Sequence, residues 1–276
     1  MISIVICSVN PDHLDSISIS IKNTIGLHYE IIAIDNSENK YSITQAYNIG
    51  AKRSIFENLI FVHEDVEFIS ENWGEKLVNI LKNKEIGIVG VAGSTYLPSV
   101  PSGWYLPDEK YNKVFIHQGF KYKKAPVRFD NQGEDLTPVY LLDGVFLAMR
   151  KVVWMEFPSN ERLRGFHAYD VDICQRVSTK YQNIFTKQIE ILHQSEGKVD
   201  KHYFDSILQY KQAFLYYPYT NRNFLLEYAL LKQFYSQLRC YYDKSICVEK
   251  IRPFIKIKYL GLKGYLSFFK MLRYEK

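Results

Sequence analysis

Asn58-Leu-Ile-Phe-Val-His-Glu-Asp-Val-Glu-Phe68 joins an apolar run to a cluster of charge. Leu59 to Val62 reads as a buried strand. It stops at His63, Glu64 and Asp65. Carboxylates at the end of a buried strand need a partner, because an unpaired buried charge is costly. In an open α/β sheet, the carboxyl end of the strands is also where ligands bind. A divalent cation such as Mg²⁺ or Mn²⁺ is one partner, since hard cations take oxygen ligands and bridge to phosphates. A strand-end acidic turn neutralised by a nearby Lys or Arg is the other.

Outward from this stretch the chain alternates. Ile2 to Val9 reads as a first strand, and Asn10-Pro11-Asp12 ends it and caps a helix in which Leu14, Ile17 and Ile21 share a face. Glu30 to Asp35 is the second strand, followed by the polar loop Asn36-Ser37-Glu38-Asn39. Ser42 caps a second helix that carries Tyr47, Asn48 and Gly50. After Leu59 to Val62 come a helix over Asn72 to Lys82 and a fourth strand over Ile86 to Val91. Strand–helix alternation with short connections implies a parallel sheet covered on both faces. No G-x-G-x-x-G follows the first strand and no G-x-x-x-x-G-K-[ST] occurs, so any phosphate must be held in another way. A metal at Glu64-Asp65 would do so.

From Ser94 to Pro138 the alternation stops. Five prolines and the aromatics Trp104, Tyr105, Tyr111 and Phe115 read as irregular loops with one short strand near Val114 to His117. A long irregular segment in a compact domain is usually functional, here a ligand wall or lid; a structural insertion is the alternative. Tyr140 to Arg150 is a buried strand broken by Asp143-Gly144, a break that suits close backbone approach to another group. Asp170 and Asp172 lie near a helix start, where the helix dipole favours acids. Asp172 can pair with Arg176 four residues on, which leaves Asp170 as a candidate general base or as a simple capping acid. Asn183 to Leu192 reads as one or two strands ending at His193.

The chain after Gly197 is helical, one helix running from Tyr203 to Phe214 and another from Asn221 to Tyr242. The tail from Lys244 to Lys276 holds nine Lys or Arg against two acids, with Leu, Ile and Phe interleaved. That pattern fits an anionic membrane surface, or a packing helix with a solvated basic face. The 276 residues are 47% hydrophobic and 24% charged, an ordinary globular composition with a net charge of +5. No run approaches the roughly 18 apolar residues of a membrane span, and the N-terminus reads as a strand rather than a signal peptide. The four cysteines form no CxxC pair, Cys7 and Cys174 read as buried thiols, and a reducing compartment is the simplest inference. The basic residues follow no groove-reading motif, which argues against nucleic acid.

Taken in order, the Asp35 loop, the Asn48 helix, the acidic turn, the Asp-Gly strand, Tyr-Asp-Val-Asp-x-x-x-Arg and a late His resemble the family 2 glycosyltransferases of GT-A fold. The sequence is most similar to bacterial members with His-Glu/Gln-Asp-Val in place of Asp-x-Asp, over about residues 1–215. The resemblance implies a Rossmann-like α/β fold with a mixed, mainly parallel sheet and helices on both faces, plus C-terminal helices. The transferase domain would cover 1–217, with a basic, amphipathic helical appendage over 218–276.

It also implies roles. Asp35 would contact the nucleotide base, with Ser8, Asn10 and Asn36 lining that pocket and Asn48 on the adjoining helix. Asp65 would hold Mn²⁺ or Mg²⁺, with Glu64 beside it on the donor and His193 as a late metal ligand. Glu67 would preserve an acid-x-acid spacing with Asp65. Asp143 and Gly144 would border the sugar and acceptor, and Asp170 would be the catalytic base of an inverting enzyme. Tyr169 stands where many members have Glu or Asp. The donor would be a nucleotide-diphosphate sugar, UDP-linked by expectation, and the acceptor a glycan or lipid-linked hydroxyl in surface-polysaccharide synthesis. The setting would be cytoplasmic, peripheral to the inner membrane face. Two other readings stay open: a nucleotide-sugar-binding module tethered to a membrane complex, and a sugar nucleotidyltransferase. The latter usually opens with a glycine-rich basic loop, and here that loop is Ser8-Val-Asn-Pro-Asp12.

Overall fold

The computed structural model describes residues 1–130, 133–195, 197, 199–213 and 222–274. They form two compact units, one of residues 1–96 and 110–197 and the other of residues 97–109 and 198–276.

The first unit is built on β1 (Ile2–Ser8), whose residues are nearly all buried. On one side β1 pairs in parallel with β2 (Tyr29–Asp35), Ser8 opposite Asp35. On the other it pairs in parallel with β3 (Asn58–Val62). The helices between them start where the sequence places their caps. Asn10 accepts from the Asp12 amide at the head of α1 (Pro11–Thr24). Ser42 and Gln45 form a reciprocal capping box at the head of α2 (Ile43–Arg53). Gly50 lets α2 press onto the sheet, since a Cβ there would lie 2.2 Å from the Val5 side chain.

The acidic turn after β3 leads to the short β4 (Val66–Phe68) and then α3 (Trp73–Leu81). Trp73 is fully buried and stacks on Phe68 at 4.0 Å. Next come β5 (Ile86–Gly90) and β6 (Ala92–Ser94). The stretch from Ser94 to Pro138 contains β7 (Asn112–Gln118), which covers the short strand expected near Val114 to His117, and two strands that were not expected, β8 (Val127–Asp130) and β9 (Leu136–Val139). The loop reading of this stretch is therefore corrected. β8 and β9 have four residues each and little buried surface, and β9 contains Pro138, so neither shows a strand pattern in the sequence.

β10 (Leu141–Leu142) and β11 (Phe146–Arg150) flank the Asp-Gly break. The expected single strand is two, belonging to two different sheets. After α4 (Lys151–Glu156) and α5 (Tyr169–Val177), β12 (Gln182–Thr186) and β13 (Ile191–His193) complete the unit.

The larger sheet has the order β2-β1-β3-β11-β5-β12-β9. β11 runs antiparallel to both β3 and β5, while β1, β2 and β3 are mutually parallel, as are β5 and β12. The second sheet has the order β10-β6-β7-β13-β4, with β8 on β7. Because β11 is inverted, its first residue faces the end of β3, with Phe146 opposite Val62. The residues just before β11 thus lie at the carboxyl edge of β1, β2 and β3.

The second unit contains α6 (Lys201–Ala213), α7 (Phe224–Leu238), α8 (Lys244–Ile251) and α9 (Ile257–Tyr274). Phe214 and Asn221, expected to belong to the first two of these helices, lie outside the described residues. Within this unit the buried Glu227 of α7 accepts the amides of Ser99 and Val100, and the buried Lys211 of α6 donates to the Pro98 carbonyl. Burial pushes the Lys211 amine down to about 7, against the pull of the Glu227 carboxylate. All four cysteines are free; Cys174 and Cys247 are buried, whereas Cys7 is half-buried.

Candidate active site

At the carboxyl edge of the larger sheet, Ser8 and Asp35 end neighbouring strands. Asp35 is exposed, and the Ser37 amide donates to its carboxylate at 3.0 Å and holds its pKa below the usual value. Asn36 is buried and closes the loop behind it, exchanging two 2.9 Å hydrogen bonds with the Tyr41 backbone. Glu64 reaches across from the β3 turn and accepts three donors: Ser8 Oγ at 2.7 Å, and the Val9 and Asn10 amides at 3.1 Å each. It fastens the loop after β1 to the acidic turn.

Asp65 points the other way. It is 3.4 Å from His193 Nε2 and accepts from the Ser195 hydroxyl. The pairing of β13 with β4 places His193 opposite Val66, and that with β7 places it opposite Gln118. Gln118 Oε1 sits 3.1 Å from His193 Nδ1 and fixes the ring. Burial works against the Asp65 charge, but the His193 hydrogen bond and charge and the Ser195 hydroxyl hold its carboxyl well below the usual carboxylate range. His63 completes the group: His63, Asp65 and His193 each offer one ligand atom, all within 4.8 Å of one another. Burial, and then the neighbouring His193, keeps the His63 imidazole below its ordinary pKa and therefore neutral at pH 7. An ionised carboxylate oxygen and imidazole nitrogens are the donor types that a divalent cation takes. The residues present fit such an ion.

His63 also contacts the second acidic centre. Its Nε2 lies 2.8 Å from the Tyr169 hydroxyl, at the start of α5. The preceding Ala168 is held in the left-handed region at φ 62°, a strained position for a residue with a Cβ. That turn aims Asp170 back at the Asp-Gly break, where the Gly144 amide donates to Asp170 Oδ2 at 3.2 Å and the Val171 amide to Oδ1 at 2.8 Å. Among the described residues no cation is hydrogen-bonded to Asp170. Burial, and then the Asp143 carboxylate, raises its carboxyl from 3.8 to about 7. Asp172, by contrast, bonds Arg176 Nε at 2.8 Å and the Asn160 amide at 3.2 Å. Gly144 is required here because a Cβ would lie 2.0 Å from the Tyr169 hydroxyl. Asp143 itself accepts the Val145 amide at 2.8 Å.

The structure thus brings together Ser8, Asn10 and Glu64 in one group, Asp65 and His193 in a second, and Asp143, Gly144 and Asp170 in a third. Asp35 lies on the same edge. Two residues fall outside these groups. Glu67 accepts from Gln194 and offers no ligand atom to the cluster. Asn48 is buried, with its amide spent on the Ser159 carbonyl and Glu161 and its oxygen on the Ser159 amide and Trp154. The sequence alone gives neither His63 nor Tyr169 a role. A histidine two residues before an acid at a strand end was the available signal for His63. Tyr169 had none, since its contacts come from across the fold.

The mixed sheet, with antiparallel β11 between β3 and β5, belongs to a fold shared with GT-A glycosyltransferases. A profile of the glycosyltransferase-like family matches residues 3–215, and the chain belongs to that family. Among solved structures, GalNAc-T7 with UDP, GalNAc and Mn²⁺ is similar in fold, with a TM-score of 0.52 at 13% identity. The alignment covers 94% of this chain and 58% of that one. S. aureus TarS aligns over 99% of this chain and 91% of its own, at 10% identity and a TM-score of 0.49. No curated protein matches the sequence.

Proposed function

We propose that the protein is an inverting glycosyltransferase that moves a sugar from a nucleotide-diphosphate sugar, UDP-linked, to a glycan or lipid-linked acceptor hydroxyl in surface-polysaccharide synthesis. The observation that carries this reading is the pair of acidic centres on one sheet edge, bridged by the His63–Tyr169 hydrogen bond. One centre has the donor set for a divalent cation; the other holds a carboxyl with a pKa of about 7. A general base works best when its pKa lies near the working pH.

In this reading His63, Asp65 and His193 would hold the cation, Mn²⁺ or Mg²⁺. A cation there would offset charge on the leaving diphosphate. The loop that Glu64 fastens, together with Asp35, borders the nucleoside. Asp170 takes the proton from the acceptor hydroxyl as that oxygen bonds to the anomeric carbon and the bond to the diphosphate breaks. Attack from the side opposite the leaving group inverts the anomeric centre. The Gly144 and Val171 amides orient the Asp170 carboxylate for that transfer.

Calorimetric titration with UDP, with and without Mn²⁺, tests the reading. Binding that needs Mn²⁺ and weakens at least about tenfold in Asp65→Ala supports it. Binding of the same strength in both proteins, or with no metal, refutes the cation site. Nucleotide binding without UDP release in the presence of donor sugar and acceptors would make the protein a binding module.

A further inference from the structure

The last helix has two apolar faces. On one, Phe268 is fully buried and packs edge-on against Tyr235 of α7, 6.0 Å between ring centres. That face accounts for the helix's place in the fold. The other carries Leu262, Leu266 and Phe269, which are 61%, 58% and 48% exposed. Their spacing of four and three residues puts them in one stripe, roughly a third of a turn or more from Phe268. Tyr265 stands beside the stripe, its ring 4.8 Å from that of Phe269. At Gly261 the backbone leaves helical geometry, with φ 66° and ψ 168°. A Cβ there would lie 3.1 Å from the Phe224 ring, and Phe224 and Leu225 at the start of α7 are themselves exposed, at 47% and 77%. The apolar surface therefore continues from one helix to the next.

Charge says what covers it. Lys263 and Lys270 flank the stripe on one side, and Arg273 follows at its end; all three are exposed. No acid falls between Lys250 and Tyr274. A second copy of this helix would set these cations against like cations. An anionic lipid surface would neutralise them while its acyl boundary received the Leu and Phe side chains. The helix is short of the length and apolarity needed to cross a membrane, and no described helix meets them. We propose that this face of α9 lies in the plane of an anionic bilayer surface, apolar stripe inward and Lys263, Lys270 and Arg273 at the headgroups. It docks the second unit independently of any chemistry at the sheet edge.

Co-sedimentation of the full chain with vesicles tests it. Phosphatidylcholine vesicles containing phosphatidylglycerol should bind the protein, with affinity falling as salt is raised. Pure phosphatidylcholine vesicles should bind it at least about tenfold more weakly. Lys263→Gln/Lys270→Gln/Arg273→Gln should lose about tenfold or more on the anionic vesicles. Leu266→Ser/Phe269→Ser should lose a similar factor. These side chains are exposed, so circular dichroism should show both variants folded. Unchanged vesicle binding in either variant overturns the proposal. So does a concentration-dependent dimer, seen by sedimentation velocity without vesicles, that Leu266→Ser/Phe269→Ser dissociates, because it would assign the face to a second copy.

Discussion

Replacing Asp170 with Asn should abolish transfer and, at the same time, make the protein more stable at alkaline pH. The folded protein holds this carboxyl at about 7, chiefly through burial, against an ordinary value of 3.8. Between about pH 4 and about pH 7 the folded chain keeps a proton that the unfolded chain has released, so stability falls as pH rises through that window. Above pH 7 the cost is fully present, at most about 4 kcal/mol for a rise of this size. Asparagine carries no charge to bury. Its single amide oxygen can serve only one of the Val171 and Gly144 amides, which returns about 1 kcal/mol. The net gain near pH 8 is then roughly 1–3 kcal/mol, and each kcal/mol raises Tm by about 2–4 °C in a chain of this length. Thermal unfolding of both proteins at about pH 5 and about pH 8, in chelator, reads the effect. Asp170→Asn should be the more stable at the higher pH, and the gap should shrink at the lower. A gap independent of pH, or a less stable variant at pH 8, would refute the claim that Asp170 is held as a buried base.

Further substitutions test its neighbours. Asp143→Asn removes the charge that helps raise the Asp170 carboxyl, so the acid limb of kcat/KM should move to lower pH; a profile in the same place would show that burial alone sets that value. Glu64→Gln leaves three donors facing a neutral acceptor and should weaken nucleotide binding about tenfold in calorimetry, with little change in kcat. Equal affinity would show that the loop after β1 holds its shape unaided. Tyr169→Phe deletes the partner of His63 and should lower Mn²⁺ affinity about 10- to 100-fold, read by direct metal titration; unchanged affinity would reduce Tyr169 to packing.

The half of the fold built on β1, β2 and β3 was legible because each element there has a local signature. Ile2 to Ile6 are apolar except for Ser3, and Asn10 and Ser42 cap helices by bonds to residues two and three positions on. Of the second sheet only the strand near Val114 to His117 and the one ending at His193 were legible, not their pairing. β4 and β13 have three residues each, too few to show a period, and they exist because they pair with each other. That pairing also makes the candidate cation cluster, since it carries His193 across more than a hundred residues to Asp65. No spacing rule encodes such a distance. Asp65 could be singled out because a charge ending an apolar run is conspicuous in one dimension. His63 stood in the same turn, yet it gains its meaning only beside His193 and Tyr169. Asn48 is the opposite case: a buried amide inside a helix looks chemical, but its hydrogen bonds go to the Ser159 backbone, Glu161 and Trp154.

The Glu227 clasp on Ser99 and Val100 bears on how the chain is made. Residues 97–109 leave the ribosome long before α6 and α7, yet they belong to the same compact unit. Val100 and Leu106 are both fully buried in the finished protein. A nascent chain that has just completed β13 therefore carries an early segment whose packing partners are still to be synthesised. It also carries two amides whose acceptor does not yet exist. The second unit cannot be cut away at Gly197 as a detachable appendage, because truncation there would strip residues 97–109 of their core. Biosynthesis has to keep that excursion soluble until the last third of the polypeptide arrives.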